Sequence, residues 1–153
     1  KKYFGVTNII WLGKGINGDD THGHVDDICR FVNDDTVVIA QERNPADENY
    51  KTLNENRERL QNVTIQNRNR LNVIKLPMPS PIYHKGQRLP ASYANFYISN
   101  SVVLVPTSND TNDNIALGIL SELFNDRTIV GIDCGDLIWG LGAIHCLTKE
   151  QLL

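Results

Sequence analysis

The sequence predicts an α/β (α+β) fold assembled from small repeating modules. Short β-branched and aromatic runs bounded by Gly, Asn, Asp and Pro recur along the whole chain. Amphipathic stretches with apolar residues at intervals of three and four alternate with them, and no linker or low-complexity segment divides the whole. At 153 residues the chain suffices for a single domain with a real core, so stability requires neither a disulfide nor a metal.

The strand candidates are 3–11, 36–41, 71–76, 94–99, 102–106 and 128–132. A first helix is expected where Val25, Ile28, Cys29 and Val32 share a face, and a last one where Ile115, Ile119, Leu120, Leu123 and Phe124 do. Between them, Asn49 to Gln61 carries only Tyr50, Leu53 and Leu60 on one side among many charges, the pattern of a surface helix lying over a sheet. Asn100-Ser101 separates two apolar runs and predicts a hairpin turn. Pro77, Pro79 and Pro81 exclude a helix, and Tyr83 to Tyr93 follows as a polar loop long enough to be functional. The run from Tyr3 to Trp11 reads as a strand with nothing before it and no initiator methionine, so the chain reads as part of something longer.

Composition narrows the function classes. Fifteen basic against 18 acidic residues, a net charge of −3, argue against nucleic acid and suit a cationic ligand. No apolar run approaches the roughly 20 residues that span a bilayer, so no membrane partner is expected, and there is no signal-peptide pattern. Cys29, Cys134 and Cys146 are odd in number and irregularly spaced, which points to a reducing, cytoplasmic compartment. The glycosylation sequons at Asn62 and Asn109 are then chance.

Two clusters could carry chemistry. In Gly18-Asp19-Asp20-Thr21-His22-Gly23-His24-Val25-Asp26-Asp27, four carboxylates and two imidazoles fall within nine residues at the mouth of the expected helix. Asp19 and Asp27 are expected to cap free N–H groups and complement the helix dipole. The His24-Val25-Asp26 triplet is less easily explained that way, because an imidazole and a carboxylate can divide proton transfer and cation binding. In Trp139-Gly140-Leu141-Gly142-Ala143-Ile144-His145-Cys146, glycines that permit tight turns precede a His-Cys pair. On its own Cys146 is as readily structural as reactive; Cys29 reads as core, and Cys134 is ambiguous.

The segments GDDTHGHVDD, LPASYANFYISNSVVLVPT and CGDLIWGLGAIHC, in that order, resemble the agmatine deiminases and bacterial-type peptidylarginine deiminases, from about Trp11 to Thr148. The resemblance implies a pentein fold, in which ββαβ modules circle a pseudo-fivefold axis around a central channel. It also implies that this chain is the C-terminal portion, because those enzymes are much longer. It places the catalytic cysteine on Cys146, the His-x-Asp pair on His24 and Asp26, and an acidic residue near the substrate's free amine on Asp20. Tyr83-His84-Lys85 and Asn95 are expected to border the channel, without an assigned role.

The chemistry so implied is hydrolysis of agmatine to N-carbamoylputrescine and ammonia with no cofactor or metal, part of putrescine and polyamine metabolism. A thiolate adds to the guanidino carbon, His24 moves protons and Asp26 holds the planar cation. Peptide-terminal arginine is the alternative substrate. A second guanidinium-binding carboxylate and a tryptophan-containing wall are implied to belong to a half this chain lacks, so the isolated chain is expected to be inactive; the alternative is a homo-oligomer in which two copies complete each other's channel. Rival readings are a metal site of His22, His24, His145 and Cys146, and a silent binding or assembly module.

Overall fold

The structure, a computed structural model, describes residues 3, 5–21, 23–65 and 69–151. Its ordered elements form two copies of one motif. In the first, β1 (Cys29–Phe31) pairs antiparallel with β2 (Thr36–Gln41); α1 (Glu48–Leu60) then crosses over, and β3 (Asn72–Pro77) lies parallel to β2. The second repeats this order with β6 (Tyr97–Ile98), β7 (Val102–Thr107), α2 (Asp113–Leu123) and β8 (Thr128–Asp133). Between them, β4 (Tyr83–His84) and β5 (Gln87–Arg88) form a small hairpin.

The near-continuous apolar run of β2 makes it the central strand of its sheet, buried on both faces. Val38 enters a core with Leu76, Phe96, Val103, Val105 and Leu120, which joins the two modules. Val37 and Ile39, on the opposite face by strand alternation, enter a second core with Ile28, Leu53, Leu60 and Leu71. A third, smaller cluster of Leu89, Ile138 and Ala143 ties the hairpin to the glycine-rich segment.

The strands expected at 36–41, 71–76, 102–106 and 128–132 form within a residue of those bounds, and both later helices and the turn at Asn100-Ser101 form where expected. Three expectations are corrected. No strand forms among the described residues of 3–11. The neighbouring N–H groups of Gly13 and Asn17 donate to Asn56 and Asn49 of α1 at 2.6 and 2.7 Å, so side chains and not a sheet edge hold this segment. The segment from Val25 to Val32 is not a helix but the 3-10 turn Val25–Asp27 followed by β1. Ile28 and Val32, four apart, fit one face of a strand as well as one face of a helix, and pairing with β2 decides between them. Of 94–99, only Tyr97 and Ile98 join a ladder; Ser92 to Asn95 is a buried turn, with the Asn95 N–H donating to the Ser92 carbonyl at 3.2 Å.

The Tyr83–Tyr93 loop contains the hairpin, whose two linking residues, Lys85 and Gly86, both have positive φ, the backbone of a tight two-residue turn. Gly18 packs against that hairpin. At φ +94° a side chain there would be strained, and a Cβ would stand 2.5 Å from the Arg88 carbonyl oxygen. Arg88 is buried and bonded to Asp47 at 2.9 Å, and Asp47 also caps α1. The acidic motif and the glycine-rich motif are thus seated on one support.

Candidate active site

The buried turn before β6 carries Asn95, which is fully buried, as are its neighbours Tyr93, Ala94 and Phe96. Its side-chain oxygen accepts the N–H of His145 at 3.0 Å and that of Cys146 at 3.4 Å, fixing the short 3-10 turn His145–Leu147. Its amide nitrogen lies 2.8 Å from Asp27 Oδ1, 3.1 Å from Asp26 Oδ2 and 3.1 Å from Cys146 Sγ. One asparagine thereby joins segments about 70 residues before it and 50 after it.

Cys146 Sγ is 3.4 Å from Asp26 Oδ2, and the same oxygen is 2.7 Å from His145 Nδ1. Burial raises the Asp26 carboxyl, but hydrogen bonds from His145 and Cys146 and the charge of His145 outweigh it and hold the group below its ordinary value. Burial likewise pushes the Cys146 thiol up; the Asn95 N–H opposes this, while Asp26 and Asp27 add to it. Asp27 is 1% exposed, and burial, then the neighbouring Asp26, lift it to about 7.

His24 and Asp20 stand with a different partner. His24 Nδ1 lies 3.0 Å from Asp19 Oδ1, with the imidazole half-exposed and Asp19 buried. Asp19 accepts the N–H groups of Thr21, Gly23 and His24 at 3.0, 2.8 and 2.9 Å. It does satisfy free N–H groups, but those of the loop ahead of the turn. Burial raises its carboxyl and the bonds from His24 and Thr21 more than compensate, leaving it lowered. Asp27 makes no cap bond; its partner is Asn95.

Donor atoms of Asp19, Asp20 and His24 lie within 4.8 Å of one another, as do those of Asp26, Asp27 and Cys146. His24 and Cys146 fall in different sets, so the mixed shell of His22, His24, His145 and Cys146 is not gathered among the described residues; His22 lies outside them. Cys29 packs against the second core, where burial pushes its thiol up to about 12, and Cys134 is buried. His84 stacks on Trp139 with ring centroids 4.3 Å apart, so the hairpin borders the glycine-rich motif. Gly142 is required there: a Cβ would meet Cys146 Cβ at 2.8 Å and Sγ at 3.2 Å.

The sequence assigned no role to Asn95, none to His145 outside the rival metal shell, and none to the side chain of Asp27 beyond capping. The available signal was a polar residue inside the apolar run Tyr93-Ala94-Asn95-Phe96-Tyr97. No helix among the described residues is long and apolar enough to cross a membrane.

Known proteins carry the same architecture. The agmatine deiminase of Medicago truncatula is 35% identical over 172 residues, covering 99% of this chain and 46% of that protein. The C. jejuni agmatine deiminase superposes with a TM-score of 0.85 at 32% identity, over 95% of this chain and 42% of its own; a variant of it has been solved with substrate bound. The Enterococcus faecalis agmatine deiminase gives a TM-score of 0.84 at 30% identity, over 92% and 43%. The chain spans about half the length of the curated relatives it matches. A family profile, the Porphyromonas-type peptidyl-arginine deiminases, matches residues 1–151, and the chain belongs to that family.

Proposed function

We propose that Cys146 is the nucleophile of a guanidinium hydrolysis converting agmatine to N-carbamoylputrescine and ammonia. The observation that carries the reading is the convergence of Cys146, Asp26 and Asn95 within hydrogen-bonding distance, in a chain whose relatives include agmatine deiminases. Asp26, oriented by His145 and Asn95, holds the planar cation. The thiolate adds to the guanidino carbon, and the C–N bond breaks as His24 protonates the leaving ammonia, giving a covalent thiouronium. His24 then takes a proton from water, whose attack expels the thiolate and releases the ureido product.

The raised Cys146 thiol supports activation by the substrate itself. An arriving guanidinium offsets the two carboxylates that disfavour the thiolate. Asp19 supports the role of His24, since it holds one ring nitrogen and leaves the half-exposed ring's other nitrogen for proton transfer. Asp20, exposed beside His24, is the residue for the substrate's distal amine. The family's own description, which names peptidyl-arginine, supports arginine in a peptide as a second reading.

We read the two ββαβ motifs as modules of a partial pentein ring within a single domain. The second guanidinium-binding carboxylate then lies outside the segment matched here, so this chain alone does not turn over agmatine unless copies associate. Chloroacetamidine, a cation shaped like the substrate's head, tests the site against neutral chloroacetamide. The expected result is labelling of Cys146 before Cys29 and Cys134, with the cationic probe favoured. Equal labelling by both probes at Cys146 would mean exposure without cation recognition and would sink the reading.

A further inference from the structure

Asp27 carries out no step of the scheme above, yet its surroundings are unusual. It is 1% exposed, Oδ1 takes the Asn95 N–H at 2.8 Å, and the buried Oδ2 has no hydrogen-bond partner. The Asn95 amide nitrogen carries two hydrogens and faces three acceptors, of which Asp27 is the nearest. Whichever hydrogen Asp27 holds, the other is left for Asp26 and Cys146. A buried carboxylate with one empty oxygen beside a second carboxylate is costly to ionise, whereas its neutral acid is not.

We propose that Asp27 is a positioning residue of the thiol site: by taking the Asn95 N–H it aims that amide at Cys146 and Asp26, and its charge state sets how readily the thiol ionises. The inference rests on the reading of Cys146 as nucleophile. The charged or titratable groups facing Asp27 are Asp26, Asp19 and His24 from its own segment, and Cys146 across the cluster. A donor atom of Asp27 lies within 4.8 Å of Cys146 Sγ. Even at a dielectric constant near that of water, a unit charge at that distance changes the thiolate fraction about fourfold. Below neutrality Asp27 carries its proton and this brake is absent, consistent with its lift to about 7.

The test is the rate of Cys146 alkylation by iodoacetamide against pH, read by mass spectrometry, in the full chain and in Asp27→Asn. At pH 8.5 the variant should react about fourfold faster or more, and at pH 5.5 the two rates should converge. Asp27→Ser, which also keeps an oxygen for Asn95 without a charge, should behave alike and guards against a local defect of the amide. Rates that coincide at both pH values, or differ by one factor at both, would overturn the proposal in favour of a purely structural aspartate. Unfolding of both variants would overturn it in the same way. Failure of Cys146 to react in the unmodified chain would overturn the nucleophile reading, and this inference with it.

Discussion

Replacing Asn95 by alanine should destabilise the chain and disorder the thiol together. The substitution takes from Asp27 its hydrogen-bond donor and from the Cys146 N–H its acceptor, whereas the His145 N–H keeps the Asn95 backbone carbonyl at 3.1 Å and Asp26 keeps His145 at 2.7 Å. Two orphaned groups at about 1–3 kcal/mol each, the second weighted down for its long bond, come to roughly 2–5 kcal/mol. Asn95→Asp sharpens the argument. It keeps the oxygen that receives the two N–H groups but turns the donor into a third carboxylate facing Asp26, Asp27 and Cys146. It should cost more than alanine at pH 8 and recover part of the difference at pH 5, where the added carboxyl takes up a proton. Urea unfolding followed by circular dichroism at both pH values measures this. An alanine variant within about 1 kcal/mol of the parent, or an aspartate variant with no pH-dependent recovery relative to alanine, would refute the view of Asn95 as the hub of the site.

Gly142→Ala should lower Cys146 alkylation and destabilise by about 1–3 kcal/mol, as an added Cβ 2.8 Å from Cys146 Cβ forces the nucleophile's turn to move; unchanged alkylation would show that the turn yields freely. Stability itself should carry the signature of Asp27. Its folded pKa of about 7 lies above the ordinary 3.8, so the folded state retains a proton that the unfolded chain has released. Its contribution therefore falls as pH rises from about 4 to 7, by about 4 kcal/mol. Thermal melts of the parent minus those of Asp27→Asn should show that decline across pH 4.5–7. Asp19 and Asp26, both lowered, act in the opposite sense: what they contribute is lost only as pH falls below the ordinary carboxyl range, outside this window. A flat difference would show that Asp27 ionises normally.

Local pattern determined much of this protein. The buried run of β2, the three- and four-residue spacing of α2 and the asparagine turn before β7 are statements about neighbours in sequence, and the structure follows them. The motifs that carry Cys146, Asp26 and His24 were legible because their residue types are rare in such company. What tertiary structure decided is where two local patterns competed or where partners lie far apart. Ile28 to Val32 satisfies both helix and strand periods, and only the edge of β2 selects the strand. The segment 3–11 has the β-branched and aromatic residues of a strand, but the N–H groups of Gly13 and Asn17 that follow it find Asn56 and Asn49 of α1 instead. The pairing of His24 with Asp19, and of Asp26 with His145, follows from one buried carboxylate that also gathers the N–H groups of Thr21, Gly23 and His24, and from a residue 119 positions away. Asn95 is the clearest case: a polar side chain in an apolar run has to find partners when buried, and only the packing of two modules and a hairpin says that they are Asp26, Asp27 and Cys146.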